Sequence, residues 1–249
     1  LYTGYATPDA PSFTIAALAC IYNSTGPSIG MSDAHCTINY SWQLIKQQNW
    51  NKIWESNFDP ISIDDECSVR APFHNKPEKV KYDIVIEPKM SFGTGHHETT
   101  SLMLKTMLSI DFSGKNVLDM GCGTGVLAIL ASLKKAKEIT AIDIDEWAYE
   151  NTLENIQRNE CSNIIVFKGD ATLLKYKTFD IILANINRNI LLNDLHVYSD
   201  SLIKEGILLL SGIYEHDLEA IQKEANKHGL IIENFSSKNK WVAALFKKK

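Results

Sequence analysis

Three carboxylates, one glycine run and one asparagine stand where they could do chemistry in this chain. The run is Gly121-Cys122-Gly123-Thr124-Gly125, with Asp119 two residues ahead of it. Glycines there let the backbone turn sharply and approach a ligand closely. A dinucleotide site uses G-x-G-x-x-G and seats a pyrophosphate on the following helix N-terminus. Here the spacing is G-x-G-x-G, and the preceding acid would repel a pyrophosphate and attract a cation. S-adenosyl-L-methionine, which carries an ammonium and a sulfonium, is such a cation. Asp119, Gly121, Cys122 and Gly123 are expected to hold its methionine end.

Two more acids follow at strand ends. Ala141-Ile142-Asp143-Ile144-Asp145 closes the next strand, and a carboxylate at that tip can hold a ribose diol. Asp143 is the better candidate, because Asp145 is placed to cap the next helix. Gly169-Asp170-Ala171 closes a third strand, where Asp170 could accept from an adenine amino group.

A fourth tip reads Ala184-Asn185-Ile186-Asn187 and offers acceptors without a base. Amine methylation needs that arrangement, with a neutral nitrogen whose hydrogens are held and whose lone pair faces the methyl carbon. Neutralising a lysine at pH 7 costs about 4.6 kcal/mol, and an α-amino group about 1.1 kcal/mol. Burial beside a sulfonium lowers the amine pKa further, so no dedicated base is required. Asn185 is therefore the expected catalytic residue; the plain alternative is a turn residue closing the strand.

The stretch Phe92-Gly93-Thr94-Gly95-His96-His97-Glu98-Thr99-Thr100 precedes a helix. Adjacent histidines point apart and no third ligand has suitable spacing, so no metal site is expected. Its glycines are read as letting the loop fold over the cofactor, with the Thr100 hydroxyl in contact. A simple helix cap at Thr99 or Thr100 fits as well.

These residues need a scaffold that brings strand ends together. Strand patterns at 82–87, 115–120, 138–142, 163–167, 180–184 and 206–210 alternate with helical ones. That order predicts an α/β fold with a mostly parallel, doubly wound sheet. The last two strands, 230–235 and 241–246, leave no room for a helix between them and predict an antiparallel hairpin at the sheet edge. In the helix 147–159, Trp147, Leu153 and Ile156 are expected to face inward. Residues 1–41 show no sustained period. Trp50, Trp54 and Phe58 recur every four residues, which suits a helix whose aromatic stripe packs between two domains; a platform for a substrate protein is the alternative.

Composition narrows the classes. The 249 residues are 45% hydrophobic and 22% charged, which excludes a disordered or collagen-like chain. Net charge −5 argues against a duplex-coating nucleic-acid binder. Five cysteines without paired short spacing argue against a disulfide framework or zinc ribbon, and a cytoplasmic setting is expected. The apolar run 15–21 is too short to span a bilayer.

With those residues in view, the chain resembles the PrmA family, methyltransferases of large-subunit ribosomal protein eleven. The matching text is Ile86-Glu87-Pro88, the block from Phe92 through Leu102, Leu118 to Gly125, Ala141 to Asp145, and Ala184-Asn185-Ile186. The F-G-T-G-H-H-E-T-T block is more specific than the glycine loop, which all class I methyltransferases share. The resemblance implies a class I S-adenosylmethionine-dependent fold (Rossmann-like, with a C-terminal antiparallel hairpin) and a small N-terminal α+β domain. It implies methylation of lysine ε-amines and the N-terminal α-amine of that ribosomal protein, with cofactor contacts at Thr100, Gly121, Asp143 and Asn185. The implied layout is a substrate-docking domain over 1–41, a linker helix over 42–59 and a catalytic domain over 60–249. Residues 1–41 do not look like the family's ferredoxin-like docking domain. No direct nucleic-acid or membrane partner is expected. A nucleobase or small-molecule amine methyltransferase is the alternative enzyme, although the Asn185 tip lacks the Pro-Pro-aromatic run that stacks a flipped base. A cofactor-binding scaffold without turnover is the alternative outside catalysis.

Overall fold

The computed structural model describes residues 60–87 and 98–249. All of these belong to one of the two units into which the chain divides, Asn49–Lys249. The stripe Trp50, Trp54 and Phe58 and the stretch Phe92–His97 lie outside the described residues.

Seven strands form the main sheet: β4 (Asn116–Met120), β5 (Glu138–Asp143), β6 (Ile164–Lys168), β7 (Phe179–Asn185), β8 (Leu202–Tyr214), β9 (Leu230–Lys238) and β10 (Trp241–Lys248). Their order is β6-β5-β4-β7-β8-β10-β9. The first five neighbours run parallel, and β10 is antiparallel to both β8 and β9. The expected doubly wound sheet and terminal hairpin are both present. The helices are α1 (Glu98–Ser109), α2 (Val126–Leu133), α3 (Glu146–Arg158), α4 (Arg188–Asp200) and α5 (Leu218–Lys227).

Period-2 alternation along the strands divides the core. Val117, Ile139, Ala141, Ile181 and Leu183 pack with Leu104 of α1, Ile129 of α2 and Ile156 of α3 on one face. Leu118, Met120, Ile142, Ile182 and Ala184 pack with Leu195 of α4 and Ile221 of α5 on the other. By the same alternation, Asp119, Asp143 and Asn185 belong to the α1–α3 face. Register brings the last two level: Met120 pairs with Ile142 on one side and Ala184 on the other, so Asp143 and Asn185 both stand one step further, beside Gly121.

Two features depart from the sequence pattern. The strand at 82–87 is β3 (Tyr82–Val85) and lies outside the main sheet, in a small sheet with β1 (Ile61–Ile63) and β2 (Cys67–Arg70). A fork-shaped pair from Arg70 to Asp83, 2.8 and 2.9 Å, ties β2 to β3. In α3, Ile156 is inward as expected, but Trp147 is 75% exposed and Leu153 42%. The buried face of that helix is instead Ala148, Asn151, Thr152, Asn155 and Ile156.

Candidate active site

The glycine loop joins β4 to α2 at the C-terminal edge of the sheet. Gly121 has φ +71, and a Cβ there would stand 2.2 Å from Cγ2 of Ile186. Only glycine accommodates that approach. The loop N–H groups are committed to protein acceptors. Gly121 and Cys122 donate to the Ile142 carbonyl at 2.8 and 3.1 Å, Gly125 donates to the Cys122 carbonyl at 2.8 Å, and Gly123 donates to Asp143 Oδ2 at 2.9 Å. A phosphate-binding loop works by aiming such groups at the ligand. This one spends four of them internally.

Asp119 is fully buried rather than set at an open mouth. Its Oδ2 accepts from Ala128 N at 3.0 Å, in the first turn of α2. That helix has Gly125 at its N-cap with no side-chain cap, so Asp119 does the capping from the neighbouring strand. Oδ1 of Asp119 is buried and has no hydrogen-bond partner among the described residues. Burial, opposed by the Ala128 bond and reinforced by the Asp143 charge, pushes the Asp119 carboxyl up to about 7. Cys122 is buried too, and its thiol is pushed well above the usual range, chiefly by desolvation. Such a thiol is inert as a nucleophile.

Asp143 accepts from Gly123 N through Oδ2 and from Asp145 N, 3.0 Å away, through Oδ1. Asp145 itself accepts from Trp147 N and caps α3, as anticipated from its position. The capping explanation is thereby taken by Asp145, leaving Asp143 aimed at the loop. Asp170 is exposed and caps a 3-10 turn over Ala171–Leu174, accepting from Thr172 N at 2.9 Å and Thr172 Oγ1 at 2.5 Å. Those two bonds hold its carboxyl below the usual range.

Across the sheet, Asn185 is the last residue of β7. Its Nδ2 donates to Thr100 Oγ1 at 3.3 Å, joining the fourth strand tip to α1. Thr100 is buried in the first turn of that helix. The capping role in this segment falls to Asn187, which accepts from Asn189 N and Ile190 N at the start of α4. Asn185 is free of it.

Comparison with known proteins fits this geometry. The model of the family described as Ribosomal protein L11 methyltransferase (PrmA) matches residues 17–249. The chain belongs to the PrmA family. Among its curated relatives, the ribosomal protein L11 methyltransferase of Bacteroides fragilis is 48% identical over 211 residues, covering 84% of this chain and 75% of that one. That of Porphyromonas gingivalis is 49% identical over 209 residues, covering 83% and 72%. A crystal structure of the ribosomal protein L11 methylase of Lactobacillus delbrueckii subsp. bulgaricus superposes with a TM-score of 0.71 at 25% identity, covering 77% of this chain and all of that one.

The residues present suit the cationic nucleoside that PrmA membership implies. A buried carboxylate oxygen without a partner, a second carboxylate level with the loop, and loop N–H groups already engaged make a site poor for a diphosphate and fit for a cation. Three contributors escaped the sequence reading. Ile144, 71% exposed between Asp143 and Asp145, offers an apolar surface beside the acid. Gly212 of β8 has φ +84, and a Cβ there would stand 2.1 Å from the Ile186 carbonyl oxygen. A lone glycine inside a strand pattern was its signal. The third is the polar face of α3, whose Thr152 donates to the Gly123 carbonyl at 2.9 Å and whose Asn155 donates to the Thr124 carbonyl at 2.9 Å.

Proposed function

We propose that this PrmA-family chain transfers methyl groups from S-adenosylmethionine to amine nitrogens of ribosomal protein L11, at lysine side chains and the N-terminal α-amine. The observation that carries the reading is the glycine loop, with four N–H groups engaged by protein acceptors and the carboxylates of Asp119 and Asp143 beside it. When bound, the cofactor supplies an electrophilic methyl on a sulfonium. Asp119 and the loop residues Gly121, Cys122 and Gly123 would face its methionine end, Asp143 the ribose and Asp170 the adenine amino group. Ile144 would give the base an apolar surface. Thr100 fixes the Asn185 amide through the 3.3 Å bond. The amide oxygen of Asn185 would then accept an N–H of the incoming amine and turn its lone pair toward the methyl. Positioning does the work, and the amine loses its proton to solvent before transfer.

In this reading residues 1–41 dock the substrate, 42–59 link, and 60–249 catalyse. The compartment that suits it is the cytoplasm, where ribosomal proteins are made. No described helix is long and apolar enough to cross a membrane.

The test is incubation of the protein with methyl-labelled cofactor and a total ribosomal extract, followed by mass identification of the product. Label on ribosomal protein L11, at lysine and at the N-terminus, is the expected result. Label on RNA would move the acceptor to a nucleobase, and no label would leave a binding scaffold.

A further inference from the structure

Helix α3 buries three polar side chains in two turns: Asn151, Thr152 and Asn155 are each no more than 1% exposed. Buried polar groups are costly unless satisfied, so their partners show what they are for. Thr152 Oγ1 donates to the Gly123 carbonyl and lies 3.4 Å from Cys122 Sγ. Asn155 Nδ2 donates to the Thr124 carbonyl at 2.9 Å and to Asn151 Oδ1 at 3.2 Å. Asn155 Oδ1 accepts from Glu87 N at 2.8 Å and from Arg158 Nη1 at 3.3 Å. Two consecutive carbonyls of the glycine loop thus each receive a buried donor from one helix face.

The loop needs such ties. Gly121, Gly123 and Gly125 all have positive φ, and a glycine-rich stretch has little conformational preference of its own. In a trans peptide the N–H points opposite to the C=O. Anchoring the Gly123 and Thr124 carbonyls to α3 therefore orients the whole peptide planes, including the Gly125 N–H that closes on the Cys122 carbonyl. The first of those planes adjoins the one that carries the Gly123 N–H, which holds Asp143.

We propose that Thr152 and Asn155 are positioning residues for cofactor binding: by pinning consecutive loop carbonyls from behind, they keep the loop and Asp143 in the receptive arrangement. The inference rests on the reading that this loop binds S-adenosylmethionine.

Four variants separate positioning from general support. Thr152→Val keeps the shape and removes the donor; Thr152→Ser restores the donor. Asn155→Asp keeps the acceptor for Glu87 N and sets an oxygen against the Thr124 carbonyl. Asn159→Ala, at the C-cap of that helix, removes an amide that bonds Val85 N, Val85 O and the Asn155 backbone carbonyl but no carbonyl of the glycine loop. Calorimetry with S-adenosylhomocysteine, together with kcat and cofactor KM on recombinant ribosomal protein L11, reads the outcome. Thr152→Val and Asn155→Asp should raise Kd and KM about 10-fold with kcat within about twofold, as expected when each loses its bond to a loop carbonyl. Thr152→Ser should bind like the parent, and Asn159→Ala should lower the unfolding midpoint without changing Kd. Parent-like Kd in Thr152→Val, or an equal rise in Asn159→Ala, would overturn the proposal, and Thr152→Val alone decides it if Asn155→Asp does not fold. A parent protein that binds no S-adenosylhomocysteine would overturn the cofactor reading itself, and this inference with it.

Discussion

The two halves of the strand-tip edge are built differently. Around β4 and β5, the glycine loop is hydrogen-bonded from nearly every side: Ile142 and Asp143 take its N–H groups, while Thr152 and Asn155 hold its carbonyls. Around β7 and β8, contact with the glycine loop is made by close packing. Ile186 is pinched between Gly121 and Gly212, Tyr214 stacks on Trp241 at 3.9 Å, and Asn185 contributes one 3.3 Å bond to Thr100. The first half is preorganised for one small ligand. The second meets the glycine loop through side-chain packing and reaches α1 through a single side-chain hydrogen bond.

The contrast breaks most severely at Gly212. Gly212→Ala would force a Cβ against a backbone oxygen at positive φ, and a loss of roughly 3 kcal/mol in unfolding free energy is expected by denaturant titration. Next is Asn185→Ala. Its kcat at saturating cofactor should fall about 100-fold with little change in unfolding midpoint, because the residue orients rather than supports. Asp143→Ala should weaken cofactor binding about 30-fold by calorimetry, the scale of one or two charge-assisted bonds.

Asp119 sharpens the comparison through pH. Its carboxyl rises from 3.8 to about 7 on folding, so the folded state holds a proton that the unfolded chain has released. The stability that Asp119 contributes then declines as pH rises from about 4 to about 7 and levels off above. Asp119→Asn should remove that component of the slope, read from unfolding midpoints across the interval. The smallest effect is expected at Asp170. An exposed acceptor competes with water, so Asp170→Ala should change cofactor affinity by no more than about threefold.

The same contrast explains what could be read in the sequence. The seven strands of the main sheet were legible because each is a short apolar run bounded by polar turns, buried on both faces at the centre and on one face in the edge strands β6 and β9, and the glycine loop because its spacing and leading acid are unusual. The β1–β2 hairpin was not, since its turn sets Asp64 and Asp65 at φ 47 and 55 without a glycine to signal it. Helix α3 was placed correctly and oriented wrongly for Trp147 and Leu153. Its inward face is polar because loop carbonyls need donors there, and hydrophobic periodicity is blind to that need. Spacing marks Asp119 as a ligand-facing acid; its bond to Ala128 shows that it caps α2, a contact between β4 and α2 that spacing alone does not reveal.

The central claim is that these strand tips receive a cationic nucleoside and reject a diphosphate. Titration calorimetry of the full chain against S-adenosylmethionine and against a nicotinamide dinucleotide tests it most directly. Saturable binding of the first, with no heat from the second at matched concentrations, is the expected result. Tight uptake of the dinucleotide with none of the methyl donor would contradict it.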